Sequence, residues 1–167
     1  MQPEEVDAML SSHLETLGRY HHLEQAVKGL EKRFNAIRSA ALANEAGPGG
    51  QKLDGMPHAP GVGNPTARVA CKFADGEYPD YVKPFKAELD RALVQKDAAE
   101  NRIRYVDAWM GGLNGMESWV VKNKVIDGLP WQETVRKYAV DFGVSCSKDR
   151  LKRIQDKALD KIYRMAE

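Results

Sequence analysis

Apolar side chains recur at alternating intervals of three and four residues through most of this chain, which is the spacing of one face of an α-helix. The pattern predicts a long N-terminal helix over residues 1–45. Over residues 66–110 it predicts a short helix to about Phe73 and, after an interruption at 75–79, a second long helix. No segment alternates with the period of a strand over a useful length. The sequence therefore predicts an all-α fold built on a long, coiled-coil-like pair of antiparallel helices.

The apolar positions of the two long helices form heptad seams, through which helices pack side by side. Those of the second long helix are Phe85, Leu89, Ala92, Lys96, Ala99, Ile103, Val106 and Met110. Lys96 is the polar member of this seam. In a dimeric coiled coil such a residue sets register or oligomeric state, whereas in an intramolecular bundle it extends its ammonium group to solvent. Both a homodimer through the long helices and an intramolecular pair remain open.

A glycine-rich hinge at 111–115 leads into a segment with a different pattern, residues 116–167. This segment reads as two amphipathic helices and a basic third. Gly143 is a natural end for the second helix, and Ser147 is a good N-cap for the third. Two helices joined by a short turn are the arrangement of a helix-turn-helix, which places its second helix in the major groove of DNA.

The third helix combines an apolar stripe with an excess of positive charge. The stripe consists of Leu151, Ile154, Ala158, Ile162 and Met165, and the helix also holds seven Lys or Arg and three Asp residues. The first turns of a recognition helix usually reach the bases, and here they offer Lys148, Lys152 and Arg153. An ordinary surface helix has the same pattern, however. Ion pairs of Asp149 with Arg153 and of Asp160 with Arg164 would be typical of one, and aspartates repel phosphate.

Net charge changes this picture little, because the whole chain carries only +1. Its distribution is uneven: residues 116–167 carry +3 and residues 1–115 carry −2, which favours a modestly basic C-terminal module. The two cysteines, Cys71 and Cys146, are far apart, as expected of a reduced cytosolic protein. We expect a cytoplasmic protein without a membrane partner, since the chain lacks a signal peptide and an apolar run of membrane-spanning length.

Chemistry beyond binding has little support in the sequence. His21 and His22 are adjacent, and neighbouring helical residues point about 100° apart, so they are a poor metal pair. Neither a phosphate-binding P-loop nor a recognisable Ser, His and acid cluster is found. We expect a protein that is not an enzyme, with no catalytic residues, no metal and no cofactor.

An unusual string, Leu-Asp-Gly-Met-Pro-His-Ala-Pro at 53–60, lies in a Gly/Pro-rich loop predicted at 46–65. It resembles the Leu-x-Gly-Met-Pro segment of small proteins from phages and prophages of Gram-positive bacteria, grouped with the ArpU and RinA-type late-gene transcription regulators. Those proteins place the segment between two long helices. They end in a helix-turn-helix similar to the promoter-reading region of bacterial sigma factors. Residues 127–133 and 147–159 resemble the entry into that family's second helix and its recognition helix.

The resemblance implies a phage- or prophage-encoded regulator that binds double-stranded DNA in the bacterial cytoplasm. The residues it assigns to DNA contact are Lys148, Arg150, Lys152, Arg153 and Lys157. Host RNA polymerase is an implied partner, and the loop is either a structural turn that packs Met56 or a docking site for such a partner. Two alternatives remain: a helical phage assembly protein such as a small terminase subunit, and a protein-interaction module without DNA binding.

Overall fold

The computed structural model describes residues 1–46 and 65–167, which form seven α-helices and one π-helix without a strand. The elements are α1 (Pro3–Ser11), α2 (His13–Ala46), α3 (Pro65–Ala74), α4 (Lys83–Gly111), α5 (Gly115–Val121), the π-helix (Lys122–Ile126), α6 (Trp131–Phe142) and α7 (Lys148–Ala166). The predicted all-α class is confirmed for this part of the chain. Residues 47–64, which include most of the predicted loop and its string at 53–60, lie outside the described residues.

The predicted N-terminal helix is divided in two at Ser12, which has φ −95° and ψ 9°. The hydroxyl groups of Ser11 and Ser12 both donate to the carbonyl of Ala8. Serine hydroxyls compete with backbone groups in this way and weaken or bend a helix. The heptad pattern carried no sign of the break, because the apolar positions on either side of it, Leu10 and His13, are both buried.

Helices α2 and α4 are antiparallel neighbours, as predicted. The Arg102 guanidinium donates to the Ser12 hydroxyl at 3.2 Å, and the Lys96 ammonium lies 5.8 Å from the centre of the Tyr20 ring. Residue numbers thus fall along α4 as those of the residues in contact with it rise along α2, which is the antiparallel arrangement. All eight predicted seam positions of α4 are buried or half-buried. Lys96 is half-buried, and its ammonium also lies 3.9 Å from Glu100 Oε2, so its contacts are made within the chain.

The chain divides into two compact units, to which α2 and α4 both contribute. The central unit comprises residues 23–95, and its described core is formed by Val27, Phe34, Ala41, Phe73, Val82 and Leu89. The terminal unit comprises residues 1–22 and 96–167. Within the described residues, no helix is both long and apolar enough to span a bilayer.

The terminal unit has two apolar clusters, and α7 belongs to both. One cluster contains Val6, Leu10, Val106, Trp109, Val121, Ile126, Ala158 and Ile162, and so joins α1, α4, α5, the π-helix and α7. The other contains Val120, Tyr138, Cys146 and Leu151, and joins α5, α6 and α7. The first half of α7 thus packs against α5 and α6, and its second half against α1, α4, α5 and the π-helix.

Candidate nucleic-acid interface

Helix α5 is fixed to α7 by an ion pair whose carboxylate is buried. Glu117 is only 7% exposed, and its two carboxylate oxygens accept hydrogen bonds from the Lys161 ammonium at 2.6 and 2.8 Å. Glu117 also completes a capping box with Asn114, in which each side chain accepts the other residue's backbone N–H. The hydrogen bond from Lys161 holds the pKa of Glu117 below its ordinary value, against the opposing effect of burial.

The π-helix turns the chain from α5 toward α6, and Asn123 is its second residue. The Asn123 side chain is 2% exposed, and its amide donates to the Trp119 carbonyl at 2.8 Å. A side chain inserted into the backbone ladder in this way is a known cause of helix irregularity. Asn123 Oδ1 in turn accepts a hydrogen bond from Lys137 of α6. The irregular turn is thereby connected by hydrogen bonds to both flanking helices.

Helices α6 and α7 are connected by residues 143–147, and each end of the connection has a local cause. Gly143 adopts φ 67°, the left-handed conformation that ends a helix and that residues with a Cβ adopt reluctantly. The Ser147 hydroxyl accepts the Arg150 backbone N–H at 3.3 Å and caps the start of α7. Between them, the buried Cys146 anchors the connection in the core. Both predicted end signals are confirmed.

The core beneath this pair of helices is largely aromatic. The Trp119 and Tyr138 rings meet edge to face with centroids 5.4 Å apart, and the Tyr138 and Phe142 centroids are 4.6 Å apart. Phe142, in the last turn of α6, nevertheless remains 42% exposed. Thr134 is completely buried instead, and its hydroxyl donates to the Pro130 carbonyl at 3.0 Å.

The apolar stripe of α7 is confirmed for its first four positions and wrong for the fifth. Leu151, Ala158 and Ile162 are fully buried and Ile154 is half-buried, whereas Met165 is 43% exposed. The buried face of the last turns is shifted because α1 lies against them. Leu159, Tyr163 and Ala166 pack there against the cluster shared with α1. The Tyr163 hydroxyl also donates to Asp7 of α1 at 2.8 Å.

All five residues assigned to DNA contact are exposed: Lys148, Arg150, Lys152, Arg153 and Lys157. Among the described residues, none of the five lies within 4.0 Å of a carboxylate. The expected pairs of Asp149 with Arg153 and of Asp160 with Arg164 are likewise absent from this part of the chain. The cationic groups of these five residues are therefore available to a partner.

The helical turn separates these cations into two groups. At about 100° per residue, Lys148 and Lys152 lie on one flank of α7, which we call the first basic flank. Arg150, Arg153 and Lys157 lie on the other, the second basic flank. The strip between the flanks faces away from the buried stripe and carries three exposed aspartates, Asp149, Asp156 and Asp160. Across its width, the outer surface of α7 is thus positive, negative and positive.

A groove of about 480 Å³ separates the start of α6 from the start of α7. Its lining includes Trp131, Gln132, Val135, Arg136, Cys146 and Lys148. Arg136 is exposed and adds a cation from α6 beside the first basic flank. Arg136 was not among the residues that the sequence predicted to contact DNA, because it lies on α6 and outside the strongly basic third helix. Its position four residues after Gln132, on the polar side of α6, was the available signal.

The adjacent pair His21 and His22 acquires no metal-binding surroundings. In the described part of the chain, no three His, Cys, Asp or Glu side chains come together as a metal site would require.

Comparison of the chain with protein-family models, with curated proteins and with solved structures finds no match.

Proposed function

We propose that the protein is a DNA-binding transcription regulator that inserts α7 into the major groove, with α6 and α7 acting as a helix-turn-helix. The observation that carries the proposal is the arrangement of charge across α7, together with the absence of ion-pair partners, among the described residues, for the five cations assigned to DNA contact. A basic helix whose cations are neutralised by its own carboxylates would have little to offer phosphate.

The order of charges across α7 complements the major groove. A helix with its side chains is about 10–12 Å in diameter, and the groove is about 12 Å wide, so both phosphate backbones lie beside an inserted helix. The two basic flanks of α7 would then meet the two backbones. The aspartate strip would face the base edges, where cytosine N4 and adenine N6 donate hydrogen bonds. In this orientation the aspartates lie away from the phosphates and can accept hydrogen bonds where cytosine or adenine amino groups are present.

Binding would combine phosphate contacts, which fix position, with base contacts, which select sequence. Arg136, which lines the groove between α6 and α7, would reach one DNA strand together with the first basic flank. The second basic flank would reach the other strand. The resemblance to ArpU and RinA-type regulators supports the same assignment and suggests a phage or prophage origin. Host RNA polymerase and a second copy of the chain are proposed as further partners.

The proposal is tested by fluorescence anisotropy on labelled duplexes tiled across the genomic region that encodes the protein, at two salt concentrations. The test variant is Lys152→Ala with Arg153→Ala, one residue from each basic flank. The matched control is Lys32→Ala with Arg38→Ala, which removes the same charge from exposed positions of the central unit. We expect one duplex to bind most tightly and its affinity to fall as salt rises, because bound phosphates release counterions.

Loss of two phosphate contacts lowers the slope of log affinity against log salt by about 2. We expect that decrease in the test variant and not in the control. Equal affinity of the wild-type protein and the test variant would contradict the assignment of α7. Circular dichroism checks that both variants remain helical, as expected from the exposed positions of all four residues.

A protein-interaction module is the second candidate, and the aspartate strip favours it. Asp149, Asp156 and Asp160 form a continuous acidic line on the exposed side of α7, which a basic protein surface would also complement. Under this alternative, the protein binds none of the duplexes even at low salt. It would instead co-purify with RNA polymerase, and Asp149→Asn with Asp156→Asn would weaken that association.

A further inference from the structure

A buried histidine in the terminal unit has a ring nitrogen without a hydrogen-bond partner. His13 is 8% exposed, and its Nδ1 is the one buried side-chain nitrogen or oxygen of the described residues that lacks a partner. Leaving a buried polar group without a hydrogen bond is unfavourable. Buried polar groups in folded proteins are nearly always satisfied, so an exception needs a physical explanation.

His13 lies in the wall of a cavity of about 360 Å³ in the terminal unit. The cavity is open to solvent and is lined by the first turns of α2, the end of α4, the π-helix and the residue that follows it. Its apolar lining consists of Leu14, Leu17, Met110 and Ile126, and its other polar residues are Asp107, Lys122 and Asp127. A mostly apolar wall with a few polar groups is characteristic of small-molecule sites, and π-helical turns are frequent at functional sites.

The charged groups around this cavity favour a cation. The lining contains two carboxylates, Asp107 and Asp127, and one ammonium group, Lys122. In the described structure, none of these three groups has an ion-pair partner within 4.0 Å. The arrangement does not suit a metal ion, because no three metal-ligating side chains converge in this part of the chain. An organic cation with an apolar body fits both the carboxylates and the apolar wall.

We propose that this cavity binds a small organic amine. The ammonium lies between Asp107 and Asp127, and the apolar body packs against Leu14, Leu17 and Met110. In the neutral tautomer protonated at Nε2, His13 Nδ1 accepts a hydrogen bond from the amine N–H, since no described protein group donates to this nitrogen. The inference concerns the terminal unit alone and does not depend on whether α7 binds DNA.

Three probes of equal chain length and different charge test the proposal: hexylamine, hexanol and hexanoate. Each is titrated into the full chain labelled for NMR, and the His13 ring and Met110 methyl signals report binding. A charge-assisted hydrogen bond favours the amine over the alcohol by about tenfold in affinity. In Asp107→Asn with Asp127→Asn we expect this preference to fall to about twofold or less, because the charges are removed and the shape is kept.

The matched control is Asp75→Asn with Asp97→Asn, which removes two exposed carboxylates outside the cavity. We expect its preference for hexylamine to equal that of the wild-type protein. If the double cavity variant is not folded, Asp107→Asn alone replaces it, since Asp107 is exposed. Three results would overturn the proposal: no response at His13, equal or tighter binding of hexanoate, and an undiminished amine preference in the cavity variant.

Discussion

Replacement of Glu117 by glutamine isolates the electrostatic part of the contact between α5 and α7. The carboxylate of Glu117 accepts two hydrogen bonds from the Lys161 ammonium and one from the Asn114 backbone N–H. Glutamine has the same shape, and its side-chain oxygen can still accept the Asn114 N–H. Glu117→Gln therefore preserves the capping box and removes the negative charge opposite Lys161.

The expected loss follows from the exposure of the two partners. A hydrogen bond between charged groups contributes about 1.5–3 kcal/mol and a neutral one about 0.5–1.5 kcal/mol. The Glu117 side chain is 9% exposed, whereas that of Lys161 is 48% exposed. The ammonium of Lys161 can therefore recover hydration, so the larger penalty of an unpaired buried charge does not apply. We expect Glu117→Gln to lower the free energy of unfolding by about 1–2 kcal/mol.

The effect of pH provides a second signature. Because the folded pKa of Glu117 lies below its ordinary value, the ionised carboxylate stabilises the fold above the unfolded pKa of about 4.3. This contribution disappears as pH falls through the folded pKa. The difference in stability between the wild-type protein and Glu117→Gln should therefore be constant near neutral pH and shrink in acid.

Urea unfolding followed by circular dichroism measures these differences at pH 7 and at a series of acidic values. A double-mutant cycle with Lys161→Met separates the pair interaction from the effects of each single change. We expect a coupling energy of about 1 kcal/mol or more. Additive single effects, or a difference between wild type and Glu117→Gln that does not depend on pH, would refute the assignment of this stabilisation to the ion pair.

Three further substitutions probe the elements that hold α7. Leu151→Ala, at a fully buried position, should destabilise the protein by about 2–5 kcal/mol, because it removes buried apolar surface and leaves a cavity. Urea unfolding should show a lower midpoint, and Lys152→Ala on the exposed side is the control. Gly143→Ala should cost about 1–2 kcal/mol because of the φ of 67°, and an unchanged melting temperature would contradict this. Burial and the hydrogen bond to Asp7 raise the pKa of Tyr163 to about 12. Because the phenol of the unfolded chain ionises near pH 10, the stability of the wild-type protein should fall between about pH 10 and pH 12. Tyr163→Phe should lack that fall.

Local patterns in the sequence were enough to predict most of the helices, but not the break at Ser12 or the π-helix. The period of apolar residues predicts the two long helices and their seams, because every helix must bury one face. Short-range rules predict the ends of α6 and α7 at Gly143 and Ser147, since a left-handed residue and a capping hydroxyl act within a single turn. The excess of positive charge on α7 could also be read from the sequence alone, together with the identities of the five candidate DNA-contacting residues.

The tertiary structure decided which surfaces those elements present and which groups meet. Nothing in the local pattern joins Glu117 to Lys161 or Tyr163 to Asp7, because these partners are 44 and 156 residues apart. The same holds for the burial of Asn123 and the exposure of Met165, which depend on neighbours contributed by α6 and α1. The cavity beside His13 is likewise assembled from α2, α4 and the π-helix. A sequence pattern specifies which face of a helix is buried, but only packing decides which residues from distant segments lie against it.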